Sequence, residues 1–88
     1  MAVKEKILVV DDEPSIRKYL QTLLEVDGFD VDTVGSGKDA LAKVNSGERP
    51  DFIILDVLMP EMNGLETLKE LMQLDRGLNV IGNDLLLF

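Results

Sequence analysis

The sequence predicts an α/β domain built on a doubly wound parallel sheet. Two apolar runs of four residues, 7–10 and 52–55, suit strands that are buried on both faces. Each run, and the alternating segment 30–34 between them, is followed by apolar residues at helical spacing, which gives the order βαβαβα at roughly 20–25 residues per unit. Because connections between parallel strands are right-handed crossovers, this order favours helices on both faces of one sheet.

Composition excludes several classes of function. The 88 residues suffice for one globular domain, and 9 basic against 17 acidic residues give a net charge of -8. The basic residues are scattered, so direct nucleic-acid binding is not expected. The absence of cysteine and histidine removes disulfides, thiol nucleophiles, the usual zinc sites and serine-histidine triads. No apolar run could span a membrane and no signal peptide is evident, so a cytoplasmic location is expected.

The first predicted helix begins at Pro14, because the missing N–H of proline costs nothing in the first turn. Gly28 is placed to end this helix as a C-cap. The apolar residues between them recur at helical spacing and predict one buried stripe, so Tyr19 is interpreted as a core residue. The stripe consists of Ile16, Tyr19, Leu20, Leu23 and Leu24.

The second unit has an edge strand and a short helix. Residues 30–34 alternate polar and apolar with period two, which predicts an edge strand exposed to water on one face. Ser36 followed by Asp39 has the spacing of a capping box and begins a helix that closes near Gly47. The predicted buried residues of this helix are Ala40, Leu41 and Val44.

The third unit follows the second apolar run. Pro60 stops the strand, Asn63 and Gly64 provide a turn and a helix N-cap, and the helix runs to Gly77. Its buried stripe is Leu65, Leu68, Leu71 and Met72, whereas Ser15 and Thr67 are interpreted as helix-surface or cap residues. Residues 79–81 could start a fourth strand, followed by turn-forming residues and four apolar residues.

Acidic residues follow both buried strands. Asp11 and Asp12 come directly after residues 7–10, and Asp56 comes directly after residues 52–55. If the two strands are neighbours, three carboxylates meet at one edge of the sheet and require a cation. An all-oxygen cluster suits Mg²⁺ or Mn²⁺, and Asp56 would be the nucleophile towards a phosphoryl group. The alternative is that these acids are ordinary helix caps and solvated loop residues.

These residues, taken together, resemble the receiver domain of bacterial two-component response regulators. The resemblance covers about residues 5 to 81, and it implies a flavodoxin-like fold in which Asp56 accepts a phosphoryl group from a histidine kinase. It also implies a Mg²⁺ ion held by Asp11, Asp12, Asp56 and the backbone carbonyl of Leu58. The matching pieces are residues 7–13, the Gly28-Phe29 turn, Gly37 with Ala40 and Leu41, the Pro50-Asp51 step, and residues 54–56 followed by Met59-Pro60 and Asn63-Gly64.

The chain departs from the family pattern after its third unit. Receivers normally have five βα units, with Thr or Ser ending the fourth strand and Lys ending the fifth. Here Gly82, Asn83 and Asp84 follow the fourth apolar segment, and no lysine lies beyond Lys69. We therefore expect residues 1–88 to form a truncated receiver domain of about three and a half βα units, whose signalling output is impaired.

Two rival functions fit the same residues. The first is a self-associating receiver fragment, including a domain-swapped dimer, that lacks phosphotransfer. It is expected because missing elements would expose apolar surface and a sheet edge, with residues 85–88 contributing. The second is a Mg²⁺-dependent phosphatase that uses Asp56, although the sequence offers no separate general acid. A phosphoacceptor without enzymatic turnover agrees best with the acidic residues, and a homo-oligomer is expected alongside it.

Overall fold

A computed structural model describes residues 4–55, 64–74, 77 and 79–82. In this part of the chain, four parallel strands form one sheet in the order β2-β1-β3-β4. The predicted βαβαβα order and the fourth strand are confirmed. The elements are β1 (Lys6–Val10), α1 (Pro14–Val26), β2 (Asp30–Val34), α2 (Gly37–Asn45), β3 (Phe52–Leu55), α3 (Gly64–Leu74) and β4 (Asn79–Gly82).

The sheet is covered by helices on both faces, as predicted. Successive side chains of a strand point to opposite faces, so β1 and β3 each contribute to two cores. The core on one face includes residues of α2 and α3 and consists of Leu8, Val10, Ala40, Ile53, Leu55 and Leu71. The core on the other face consists of Ile7, Val9 and Val31, against which Leu20 and Leu24 of α1 pack. This two-faced burial is why the apolar runs of β1 and β3 are unbroken.

Helix α1 buries only one side of its predicted apolar stripe. The prediction that Tyr19 belongs to the core was wrong: its side chain is 62% exposed, and Leu23 and Ile16 are 49% and 40% exposed. At 3.6 residues per turn, the stripe spreads over about 140° of the helix surface. Leu20 and Leu24 lie at the edge of this arc that faces the sheet, and Tyr19 lies at the opposite edge. Exposure therefore rises with the angle from the sheet.

The predicted helix ends are confirmed for α1 and α2. Gly28 follows α1 with φ +97°, and Gly47 follows α2 with φ +100°, both in the left-handed region that favours glycine. The backbone N–H of Asp39 donates to Ser36 Oγ at 3.1 Å, which caps the start of α2. Strand β2 lies at the edge of the sheet and buries Val31 while Asp32 is exposed, as its alternating pattern predicted.

Helix α3 contains an unexpected buried hydroxyl. Leu71 is fully buried, as predicted. Thr67, which the sequence suggested would be a surface or cap residue, is also fully buried, so that interpretation was wrong. Thr67 lies four residues before Leu71, and residues with this spacing share one face of a helix. Its Oγ1 has no hydrogen-bond partner among the residues that the structure describes.

Candidate functional site

Two of the predicted acidic residues lie at the carboxyl end of β1. Strand β1 ends at Val10, so Asp11 and Asp12 occupy the turn between β1 and α1. Asp11 is only 4% exposed, whereas Asp12 is exposed to solvent. In open α/β sheets, ligands bind at the carboxyl ends of the strands. The acidic pair is therefore where a ligand of this fold would be expected.

Hydrogen bonds fix the position of Asp11 on three sides. Its backbone N–H donates to the carbonyl oxygen of Val34, at the end of β2, at 3.2 Å. Its side-chain Oδ1 accepts from the backbone N–H of Glu13 at 3.0 Å, and its carbonyl oxygen accepts from Nη1 of Arg17 at 2.8 Å. The backbone and the carboxylate of Asp11 are thus both held before any ligand arrives.

Arg17 and Gly35 are parts of this site that the sequence analysis missed. Arg17 lies in α1 one turn after Glu13, to whose carbonyl oxygen its own N–H donates at 3.0 Å. Gly35 follows β2, and a Cβ atom built on it would lie 3.2 Å from Nη1 of Arg17. The helical spacing places Arg17 near the start of α1, but no pattern in the sequence indicates that its guanidinium turns back to a strand end.

The carboxyl end of β3 is a direct neighbour of the carboxyl end of β1. The strands pair in parallel register, with Val10 opposite Leu55. The predicted phosphoacceptor Asp56 and the predicted carbonyl ligand Leu58 lie outside the described residues. Within the described residues, no group of three or more acidic side chains could hold a metal ion. The structure therefore places Asp11 and Asp12 together beside the end of β3, and the third carboxylate of the predicted cluster stays a prediction.

The donor atoms at the end of β1 fit a hard divalent cation. Carboxylate oxygens are the ligands that Mg²⁺ prefers, and Mg²⁺ usually keeps several water molecules, so it needs few protein ligands. The buried Asp11 carboxylate is oriented by Glu13, while the exposed Asp12 carboxylate is accessible to a hydrated ion. Such an ion would neutralise negative charge at this edge of the sheet and polarise a phosphoryl oxygen.

A small cavity lies at the other end of the sheet, beside Lys6 and Pro50. Lys43 lines it, with Nζ 3.0 Å from Glu48 Oε2 and 3.6 Å from Asp32 Oδ2. The hydrogen bond to Glu48 and the charge of Asp32 raise the pKa of Lys43 above its ordinary value. Lys43 is therefore charged and already paired at neutral pH, and the cavity is remote from the acidic pair.

Comparisons with known proteins identify the fold and the family. The sequence model of the response regulator receiver domain matches residues 7–82. The alkaline phosphatase synthesis transcriptional regulatory protein PhoP of Bacillus subtilis is 49% identical over 71 residues, which cover 81% of this chain and 29% of that protein. The chain thus spans less than a third of the length of this curated relative.

Solved structures of receiver proteins superpose closely on the chain. The response regulator TrrA of Thermotoga maritima, in complex with Mg²⁺-BeF, matches with a TM-score of 0.81 and 41% identity, covering 86% of this chain and 65% of that one. The complex of the histidine kinase ThkA with TrrA matches with a TM-score of 0.82 and 41% identity, covering 89% and 66%. The predicted flavodoxin-like doubly wound sheet is confirmed.

No helix in the described part of the chain is long and apolar enough to cross a membrane. The parallel sheet with helices on both faces, the acidic pair after β1 and the family match over residues 7–82 agree with one another. The chain therefore belongs to the response regulator receiver domain family of two-component signalling.

Proposed function

We propose that the chain is a phosphoacceptor: Asp56 takes a phosphoryl group from a histidine kinase, with Mg²⁺ held by Asp11, Asp12, Asp56 and the carbonyl of Leu58. The observation that carries the proposal is the register of β1 and β3, in which Val10 lies opposite Leu55. Asp11 and Asp56 are the next residues after this pair. Successive Cα atoms are about 3.8 Å apart, so each acid is one short covalent step from this residue pair, which supports a shared site.

The proposed chemistry is the transfer of one phosphoryl group from a phosphorylated histidine of the kinase to the carboxylate of Asp56. A carboxylate oxygen of Asp56 attacks the phosphorus of a phosphohistidine; the new O–P bond forms, the P–N bond breaks, and the imidazole nitrogen keeps the electron pair and takes a proton from water. A bound Mg²⁺ supplies neutralisation of the charge on the phosphoryl oxygens. Asp11 and Asp12 hold the ion, and the hydrogen bond from Glu13 orients the carboxylate of Asp11. The chain is modified rather than turning over a substrate, so it acts as a signalling protein and not as an enzyme.

Related proteins support the choice of partner and cation. A histidine kinase is the partner of TrrA in one matching structure, and Mg²⁺ is bound by TrrA in another. The curated relative PhoP is a transcriptional regulatory protein, but this chain covers 29% of it. The net charge of this chain is -8, which gives no electrostatic basis for direct binding to nucleic acid. We infer a cytoplasmic receiver that signals through protein partners.

Intact-mass spectrometry after incubation with acetyl phosphate tests this function. We expect an adduct of one HPO₃ group that requires Mg²⁺ and is absent from Asp56→Ala. Asp12→Ala should reduce the adduct because it removes the exposed carboxylate. Asp27→Ala, which removes an exposed carboxylate at the end of α1, is the matched control and should leave the adduct unchanged. An adduct on folded Asp56→Ala would contradict the proposed acceptor, and no adduct on the folded parent would contradict the function.

Self-association is a second candidate function, favoured by the outer face of α1. We define this outer face as Ile16, Tyr19, Leu23 and Val26, which are 40%, 62%, 49% and 79% exposed. Their spacing of three, four and three residues is that of a coiled-coil seam, in which one helix packs along another. Among the described strands, β4 lies at one end of the sheet, and its outer edge is a further surface for pairing between copies.

Sedimentation velocity separates self-association from a monomeric receiver. If the outer face of α1 forms the contact, Leu23→Glu should shift the parent from dimer to monomer because it places a charge in the apolar seam. Thr22→Glu adds the same charge at the neighbouring exposed position and should leave the dimer intact. A parent that sediments as a monomer at tens of micromolar (~10⁻⁵ M) would contradict this candidate.

A further inference from the structure

The long side chain of Arg17 ties the turn that carries the acidic pair to α1. Arg17 reaches back from the first turns of α1, and its Nη1 donates to the carbonyl oxygen of Asp11 at 2.8 Å. Because Asp11 is 4% exposed, its carbonyl depends on a protein donor more than on solvent. A hydrogen bond from a charged donor is stronger than one between neutral groups. Arg17 therefore joins the helix to the backbone of a predicted metal ligand.

Gly35 leaves the space that the guanidinium occupies. A Cβ atom at position 35 would lie 3.2 Å from Nη1 and 3.7 Å from Cζ of Arg17. The first distance is shorter than an ordinary contact, so an alanine would require the guanidinium to shift by a few tenths of an ångström. The φ of Gly35 is not positive, unlike those of Gly28 and Gly47. The backbone would thus accept alanine at position 35, and the close approach of Arg17 remains as the reason for glycine.

We propose that Arg17 and Gly35 are positioning residues for the divalent cation: Arg17 holds the Asp11 turn in the geometry that binds the ion, and Gly35 makes room for Arg17. This inference rests on the proposed function, because it assigns new residues to the same site. Neither residue contacts the ion in this proposal. Arg17 acts through the carbonyl of Asp11, whose carboxylate is already oriented by the N–H of Glu13.

A positioning role and a purely electrostatic role for Arg17 predict opposite changes in Mg²⁺ affinity when Arg17 is replaced. Its positive charge beside a cation site disfavours binding of a second cation, so removal of the charge alone would tighten Mg²⁺ binding. If Arg17 positions Asp11, its removal loosens the turn and weakens binding. Loss of an outer-shell partner typically weakens metal affinity about 10–100-fold. The sign of the change therefore identifies the role.

Calorimetric titration of the intact chain with Mg²⁺ is the first arm of the test. We expect Arg17→Met to weaken Mg²⁺ binding about tenfold, and Arg17→Lys to recover part of the loss because lysine retains a donor and a charge. Lys18→Met is the matched control, since it removes the same charge from the neighbouring exposed position of α1. It should change the affinity little. Equal or tighter binding by folded Arg17→Met would overturn the proposal.

A double-mutant cycle tests whether Gly35 acts through Arg17. Gly35→Ala should weaken Mg²⁺ binding in the parent and have no further effect in Arg17→Met, because the side chain that it displaces is gone. Residues that share a contact show such non-additive effects, whereas independent residues do not. A loss of the same size in both backgrounds would overturn the role assigned to Gly35.

Hydrogen exchange without metal provides a readout that a general loss of stability would not reproduce. Arg17→Met should speed exchange of the Glu13 and Asp11 amides, which donate to Asp11 Oδ1 and Val34, while amides in the middle of β3 keep their protection. Unchanged exchange at both amides would overturn the proposal. If instead the parent binds Mg²⁺ but gains no phosphoryl group, the proposed function fails while the positioning role stands.

Discussion

Replacing Leu71 by alanine is expected to lower the free energy of unfolding by about 2–5 kcal/mol. Leu71 is fully buried in the core between the sheet and the two helices on that face, where it joins Leu8, Ile53 and Leu55. Deleting its buried methyl groups removes their transfer free energy and leaves a cavity that close-packed neighbours fill only in part. Total stabilities of small domains are about 5–15 kcal/mol, so this loss would be a large fraction of the whole.

Leu23→Ala is the matched control for Leu71→Ala. Both changes replace a helical leucine, so the small gain in helix propensity is the same in each. Leu23 is 49% exposed on α1, and we expect its loss to cost no more than about 1 kcal/mol. Urea unfolding followed by circular dichroism measures both variants. If Leu71→Ala and Leu23→Ala lower the free energy of unfolding by similar amounts, this would contradict the burial of Leu71.

Replacing Thr67 by valine is expected to raise the free energy of unfolding by about 1–2 kcal/mol. The Thr67 side chain is fully buried, and within the described part of the chain its Oγ1 has no hydrogen-bond partner. Folding removes this hydroxyl from water without replacing the lost hydrogen bond, which costs free energy. Valine has nearly the same shape and substitutes a methyl group for the hydroxyl, so the cost disappears while the packing is kept.

Thr67→Ser distinguishes the hydroxyl from the methyl group. Serine keeps the buried hydroxyl and deletes the methyl, and it should lower the free energy of unfolding by about 1 kcal/mol. The two variants should therefore move the urea midpoint in opposite directions. A loss of stability in Thr67→Val would mean that the hydroxyl is hydrogen-bonded in solution, by water or by the protein, and that its burial carries no penalty.

The sheet was well predicted because the burial of a strand determines its pattern of apolar and polar residues. Strands buried on both faces require unbroken apolar runs, and β1 and β3 have them. The edge strand β2 alternates because only one of its faces packs inward. Helix ends were predictable for a similar reason, since Gly28 and Gly47 adopt a backbone conformation that few other residues tolerate.

Two predictions were wrong, both at positions where the polarity of the side chain does not match its burial. Tyr19 is apolar enough to suggest the core, but its angle on α1 turns it away from the sheet, and the sequence does not state where a wide stripe meets its neighbour. Thr67 is polar enough to suggest the surface, although its spacing of four residues from Leu71 already placed both on one helix face. At Thr67 the position on the helix was a better guide than polarity, whereas at Tyr19 membership of the apolar stripe did not show which of its residues face the sheet.

The candidate site was predictable in part. Acids directly after buried strands are visible in the sequence, and the structure places Asp11 and Asp12 at the end of β1, beside the end of β3. The contact between Arg17 and the carbonyl of Asp11 was not predictable, because a side chain that binds backbone leaves no periodic pattern. The roles of Asp56 and Leu58 rest on the family resemblance and await the phosphorylation experiment.

The strand order also determines when the sheet can form during synthesis on the ribosome. Strand β1 lies between β2 and β3, yet its pairing with β3 joins residues far apart in sequence, such as Ile7 and Phe52, which are separated by 45 positions. At about 5–20 residues per second, β3 emerges about 2–9 s after β1. Strand β2, which is 24 positions from β1 in their register, emerges about halfway through this interval, and from then until β3 emerges β1 has one partner strand. Strand β1, a central strand of the finished sheet, is thus the strand that remains longest without its second neighbouring strand.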